Sequence, residues 1–111
     1  MSKQYVIGID VGTSGTKCIA LDKEGTILAS VTKEYPLYIP QEGWSEQDPD
    51  DWWEAVRLSL KEITDAVGDN EPMGISFSGQ MHGMVALDKD MHPVRRAILW
   101  NDQRTQLQCD E

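Results

Sequence analysis

Ile7-Gly-Ile-Asp-Val-Gly-Thr-Ser-Gly-Thr-Lys17 is the stretch whose reading decides the fold. An apolar run ends in an aspartate, passes through a turn of small residues, and resumes after a lysine as a second apolar run. Tyr5 to Val11 is rich in β-branched residues and reads as a strand buried on both faces except at Asp10. Gly12 to Thr16 is a tight connection and Lys17 to Asp22 a second strand. Lys23-Glu-Gly25 signals a turn, and Thr26 to Tyr35 a third strand. Connections this short join antiparallel neighbours, so the chain opens with a three-stranded antiparallel meander.

Pro36 to Gln47 reads as a loop. A helix follows: Asp48 suits the N-cap, Pro49 the first helical position, and Asp50 and Asp51 the positive end of the helix dipole. Trp52, Val56, Leu60, Ile63 and Val67 recur at spacings of three and four and form one apolar face, and Gly68 ends the helix. Beyond it, Met73 to Ser78, Met84 to Leu87 and Arg96 to Trp100 read as further strands, with Gly79 to Gly83 interrupting. Asn101 or Asp102 is placed to cap a last helix near Arg104. The class is α/β with a mixed sheet. One amphipathic helix cannot cover both faces of such a sheet, so the 111 residues read as the front part of a longer protein.

With 40% apolar residues the chain has enough for a core. A formal net charge of −9 argues against broad contact with nucleic acid or an anionic membrane face. Cys18 and Cys109 are far apart and form no CxxC pair, so two free thiols in a cytoplasmic protein are expected, with Cys18 a small buried hydrophobe. Trp44, Trp52 and Trp53 read as packing residues.

Two clusters carry chemistry. A carboxylate at the end of a buried strand needs a positive partner, and a hydrated magnesium ion suits a single Asp10. Gly12 and Gly15 permit close backbone approach, the N–H groups and hydroxyls of Thr13, Ser14 and Thr16 suit phosphate oxygens, and Lys17 adds a point charge. This is neither a Walker loop nor a dinucleotide fingerprint, because the turn leads into a strand. The second cluster is Ser78-Gly-Gln-Met-His-Gly83 with Trp100-Asn-Asp102. Gln80, His82, Asn101 and Asp102 offer directed hydrogen bonds, and Met81 and Trp100 apolar walls, a mix suited to a small polyhydroxylated ligand. Spacing rules out a metalloenzyme set, and Phe77-Ser78-Gly79 lacks the G-x-S-x-G of a serine hydrolase.

Together with Gly43-Trp-Ser-Glu-Gln-Asp-Pro-Asp-Asp-Trp-Trp53 and Ala97-Ile-Leu-Trp-Asn-Asp102, these motifs make nearly the whole chain resemble the amino-terminal part of the FGGY carbohydrate kinases, and most nearly their pentulose kinases. The resemblance implies a ribonuclease-H-like (actin-like ATPase) domain of which residues 1–111 are an incomplete amino-terminal part. A second domain would follow beyond a cleft. It implies ATP and Mg2+ as cofactors and D-xylulose or a related ketopentose as substrate. Asp10 would be catalytic and hold the metal, and Gly12, Thr13, Ser14, Gly15, Thr16 and Lys17 would approach the phosphates. Gln80, Met81, His82, Trp100, Asn101 and Asp102 would line the sugar site. The family's catalytic base lies beyond position 111, so the chain alone is expected to be inactive. Partners implied are a sugar, with no nucleic acid and no membrane, and a homodimer is open to the full-length parent. A non-catalytic sugar sensor and an actin-like or chaperone ATPase are the competing readings.

Overall fold

A computed structural model describes residues 3–111. The meander is there: β1 (Gln4–Val11), β2 (Gly15–Asp22) and β3 (Ile27–Glu34) pair antiparallel in sequence. The turn from β2 to β3 is held by the buried Asp22, whose carboxylate accepts from the N–H groups of Glu24 (3.0 Å) and Thr26 (2.8 Å).

Helix α1 (Pro49–Val67) starts as its sequence dictates, with Asp48 Oδ1 accepting from Asp50 N–H at 2.9 Å. It ends at Gly68, whose φ of +59° is a left-handed value that costs glycine little. Its inward face is Ala55, Val56, Ser59, Ile63 and Val67. Val56, Ile63 and Val67 meet Tyr5, Ile7, Ile9, Cys18 and Ala20 in one core cluster. Cys18 is buried and free, and burial raises its thiol pKa. The chain then returns as β5 (Glu71–Gly79), parallel to β1, giving the sheet order β3-β2-β1-β5.

Several expectations need correction. β1 is not buried on both faces: Tyr5, Ile7 and Ile9 are buried while Gln4, Val6 and Asp10 are exposed. As expected of one amphipathic helix, α1 lies on one side of the sheet, chiefly over β2 and β3, so the other side and all of β5 stay open. The main sheet has four strands. Met84 to Leu87 forms only isolated bridges, Met84 with Ile98 and Leu87 with Pro93. Pro93 has no N–H to extend a ladder. Of Arg96 to Trp100, only β6 (Ala97–Ile98) is strand, and it pairs with β4 (Glu46–Gln47), the end of the expected loop, in a separate two-stranded sheet. Neither Asn101 nor Asp102 caps α2 (Gln106–Cys109), which follows Thr105; Asp102 Oδ1 accepts from Arg104 N–H at 2.9 Å, in the turn ahead of the helix. Trp53 is 65% exposed rather than packed. No helix among the described residues is long and apolar enough to cross a membrane.

Ile63 is fully buried in the centre of the core and Leu58, on the outer side of α1, is 36% exposed. Ile63→Ala is expected to lower unfolding free energy by about 3 kcal/mol, and Leu58→Ala by less than about 1 kcal/mol, measured by urea unfolding of the chain.

Candidate functional site

β1 and β5 run in the same direction side by side, so the segments that follow them leave the same end of the sheet. Asp10 is level with Lys17 on β2 and Ser78 on β5, and the three form one row on the open face. They border a hollow of about 420 Å3 with Gly8, Ile19 and Ser76 among its walls. Among the described residues no cation lies within ion-pair distance of Asp10.

The turn after β1 is tight. Gly12 N–H donates to Gly15 O at 3.0 Å. A Cβ on Gly15 would lie 2.5 Å from the carbonyl oxygen of Lys33, so only glycine fits beside β3 there. Thr16 is fully buried, and its hydroxyl donates to Tyr35 Oη at 3.4 Å instead of facing outward. The Tyr35 hydroxyl in turn donates to Gly12 O. Burial pushes the Tyr35 phenol pKa up; the hydrogen bond from Thr16 opposes this, and the Asp10 charge adds a smaller upward push.

A residue to which the sequence reading assigned no role sits behind this turn. Gln47 is fully buried, and its Nε2 donates to Thr13 O at 2.5 Å. Its Oε1 accepts from Trp52 Nε1 at 3.0 Å and from Gln80 Nε2 at 3.1 Å. Gln80 Nε2 also donates to Gly12 O at 3.2 Å, and Gln80 Oε1 accepts from the Thr13 hydroxyl at 3.2 Å. The Gln80 amide therefore faces the turn after β1.

Two exposed tips complete the picture. Gln80 N–H donates to Val11 O at 3.2 Å, and Met84 exchanges two backbone hydrogen bonds with Ile98. Between these anchors Met81 and His82 project, and His82 has a φ of +62°, a left-handed value uncommon for a side chain of its size. In the second tip, Leu99 N–H donates to Ser45 O at 3.0 Å and Ser45 N–H to Asp102 Oδ2 at 2.7 Å, leaving Trp100 and Asn101 exposed between. The Met84–Ile98 bridge places the roots of the two tips side by side. Asp10 borders its hollow on the open face, whereas Gln80 borders another with Val11, Trp52 and Phe77, and neither of these includes His82.

Beneath the second tip lies an ionic cluster, also without a sequence-derived role. The buried Glu46 carboxylate accepts from Arg95 at 2.6 Å and Arg104 at 2.7 Å, with Arg96 at 3.9 Å. Arg104 also holds Asp102 at 2.7 Å, and its guanidinium lies 3.8 Å from the Trp44 ring centroid, while Arg96 lies 3.6 Å from that of Tyr38. Asp102, with a side chain only 3% exposed, is thus engaged by protein donors. The signal for Glu46 and Gln47 was an acid and an amide between Trp44 and the cap Asp48, a placement whose purpose appears only when distant residues converge on it.

The chain belongs to the FGGY family of carbohydrate kinases, whose N-terminal domain it matches over residues 5–111. It is 48% identical over 111 residues to xylulose kinase from Staphylococcus epidermidis, covering 98% of this chain and 22% of that protein. It is 47% identical over 108 residues to xylulose kinase from Bacillus subtilis, covering 96% and 22%. Ligand-bound xylulose kinase from Lactobacillus acidophilus superposes with a TM-score of 0.90 at 34% identity, over 96% of this chain and 22% of that one. Gluconate kinase from the same organism gives 0.91 at 35%, over 98% and 22%. The mixed α/β sheet is therefore that of the FGGY kinases, with their actin-like ATPase fold. The chain spans about a fifth of the length of these relatives.

Hydrogen bonds from Arg104 draw the Asp102 pKa down from 3.8 to about 2, against the upward effect of burial. A carboxylate with a depressed folded pKa adds stability above its unfolded pKa and loses it as pH falls toward the folded one. Wild type is expected to exceed Asp102→Asn in unfolding free energy by about 2 kcal/mol near neutral pH. The gap should close as pH drops from about 4 to about 2. Urea titrations of both chains across that range are the measurement.

Proposed function

We propose that the chain is the amino-terminal segment of an ATP-dependent kinase that phosphorylates a ketopentose, converting D-xylulose to D-xylulose 5-phosphate, in the cytoplasm. The observation that carries this reading is the parallel pairing of β1 with β5, which brings residues 12–16 and residues 80–83 to one end of the sheet and joins them through Gln80.

The residues fit ATP and magnesium. No group of three or more metal-binding side chains occurs among the described residues, and magnesium asks for little more than one carboxylate plus water. Asp10 offers that carboxylate, exposed and, among the described residues, in no ion pair. The N–H groups of Thr13 and Ser14 donate to no acceptor among the described hydrogen bonds, leaving two donors for phosphate oxygens. Magnesium would offset the charge of the triphosphate, the usual requirement of phosphoryl transfer. Lys17, level with Asp10, adds positive charge on the same face.

In this reading Met81 and His82 on one tip, and Trp100 and Asn101 on the other, contact the sugar, with Gln80 and Asp102 close behind them. Asp102 then acts chiefly by holding the second tip, because its oxygens already accept from Ser45 and Arg104. The acceptor of the sugar hydroxyl proton and the adenosine pocket belong to sequence outside these residues, as does the second domain. A kinase for another sugar is the second reading, favoured by a structural likeness to gluconate kinase equal to that to xylulose kinase.

The 111-residue chain is expected to give no turnover with D-xylulose and Mg-ATP above its own Asp10→Asn variant. In the full-length product, calorimetry and a coupled assay are expected to show D-xylulose binding and phosphate transfer, both lost in His82→Ala with Asp10→Asn losing transfer alone. Sugar binding without transfer by the wild type would favour a sensor, and transfer to gluconate over xylulose the second reading.

A further inference from the structure

We infer that Gln47 is a positioning residue that aims the Thr13 and Ser14 N–H groups at phosphate and ties their orientation to the segment carrying Met81 and His82. The inference rests on the phosphate-turn reading above and adds a residue outside both chemical clusters.

The first step is the geometry of a trans peptide, in which the C=O and the following N–H point opposite ways. Gly12 O shares a peptide plane with Thr13 N–H, and Thr13 O with Ser14 N–H. Gly12 O is held by the Tyr35 hydroxyl and by Gln80 Nε2, and Thr13 O by Gln47 Nε2. All three donors lie behind the turn, so both N–H groups are turned to its other side. Neither donates within the described residues. Successive amides aimed outward in this way make an anion-binding concavity.

The second step is direction. Indole N–H is a donor only. Its bond from Trp52 therefore assigns the oxygen of the Gln47 amide, and with it the nitrogen that faces Thr13 O. The same oxygen takes a second bond from Gln80 Nε2, which assigns the Gln80 amide and leaves its oxygen for the Thr13 hydroxyl. One donor on α1 thus sets the orientation of both side-chain amides behind the turn. Gln80 stands next to Met81 and His82, and its own N–H is bonded to Val11 O, so a rotation of either amide moves both segments.

A carboxylate is the discriminating replacement. Gln47→Glu keeps the shape and both acceptor bonds from Trp52 and Gln80 but cannot donate to Thr13 O while ionised. Protonated, it can. The groups around it are an indole, an amide and a carbonyl. Its chain neighbours are charged, Glu46 paired with arginines and Asp48 capping α1, and the other titratable groups at the turn are the Tyr35 phenol, bonded to Gly12 O, and Asp10, whose charge acts on Tyr35. Burial raises the pKa of such a carboxyl.

The experiment titrates Mg-tripolyphosphate into dilute, nitrogen-labelled wild-type, Gln47→Glu and Trp52→Phe chains, and follows amide resonances from about pH 8 to about pH 5.5. At the upper pH Gln47→Glu is expected to bind about ten-fold more weakly. Its Thr13 and Ser14 resonances should move together with those of residues 81 and 82, while those of β3 stay in place. As pH falls, the ratio of variant to wild-type affinity should return toward one and the displaced resonances should return with it. Changes in the ligand's own protonation cancel in that ratio. Trp52→Phe should move the same resonances without pH reversal. Equal binding by wild type and Gln47→Glu, or a defect that low pH leaves unchanged, overturns the inference. Absence of binding by the wild type sinks the phosphate reading instead. The paired, pH-reversible movement of the two segments then still decides the coupling: its presence sustains that part and its absence ends it.

Discussion

The site depends on one buried primary amide. Gln47 has no contact with solvent, and three of its four hydrogen-bonding positions are used on partners from three different parts of the chain: the turn after β1, the start of α1 and the end of β5. A buried polar group is tolerated when it is bonded in this way and is costly when it is not. The requirement therefore acts as a constraint on geometry: the turn, the helix and the parallel strand must meet at one point for the amide to be satisfied.

Gln47 reaches that point because of its neighbour. Glu46 is gripped by Arg95 and Arg104, and Gln47 pairs with Ala97 across the small sheet of β4 and β6. Buried ion pairs contribute little net stability against an apolar alternative but strongly disfavour arrangements that leave one charge alone. The Glu46 cluster thus fixes where β4 runs. Asp102 extends the clamp to the root of the second exposed tip by accepting from both Ser45 and Arg104. Two adjacent polar residues consequently organise both clusters that the motifs single out. One faces the turn after β1, and the other supports the Trp100 tip.

Much of this was legible in the sequence wherever local physics sufficed. The meander followed from short connections between β-branched runs, and α1 from its cap, its proline and its three-four spacing. The later strands misled because their apolar residues, such as Met84, Val85 and Leu87, suggest a ladder where only isolated bridges form, one of them to Pro93, which has no N–H to extend it. The burial of β1 on both faces misled for a different reason. An apolar run records what a strand could bury, and the coverage here comes from one helix placed mainly over β2 and β3.

By itself the sequence determined the family motifs, the strand-turn-strand around Asp10, the helix and its boundaries, and the chemistry available in residues 80–83 and 100–102. Each of these is set by neighbours a few positions away, through capping, periodicity and backbone sterics. Only the tertiary structure decided that Thr16 turns inward to Tyr35, that Gln80 faces the turn, that Asp102 is held by Ser45, and that Gln47 lies between the two clusters. These outcomes depend on bonds between residues 19 to 68 positions apart, or on the packing that excludes water from them, and no local pattern encodes which distant partner satisfies a buried polar group.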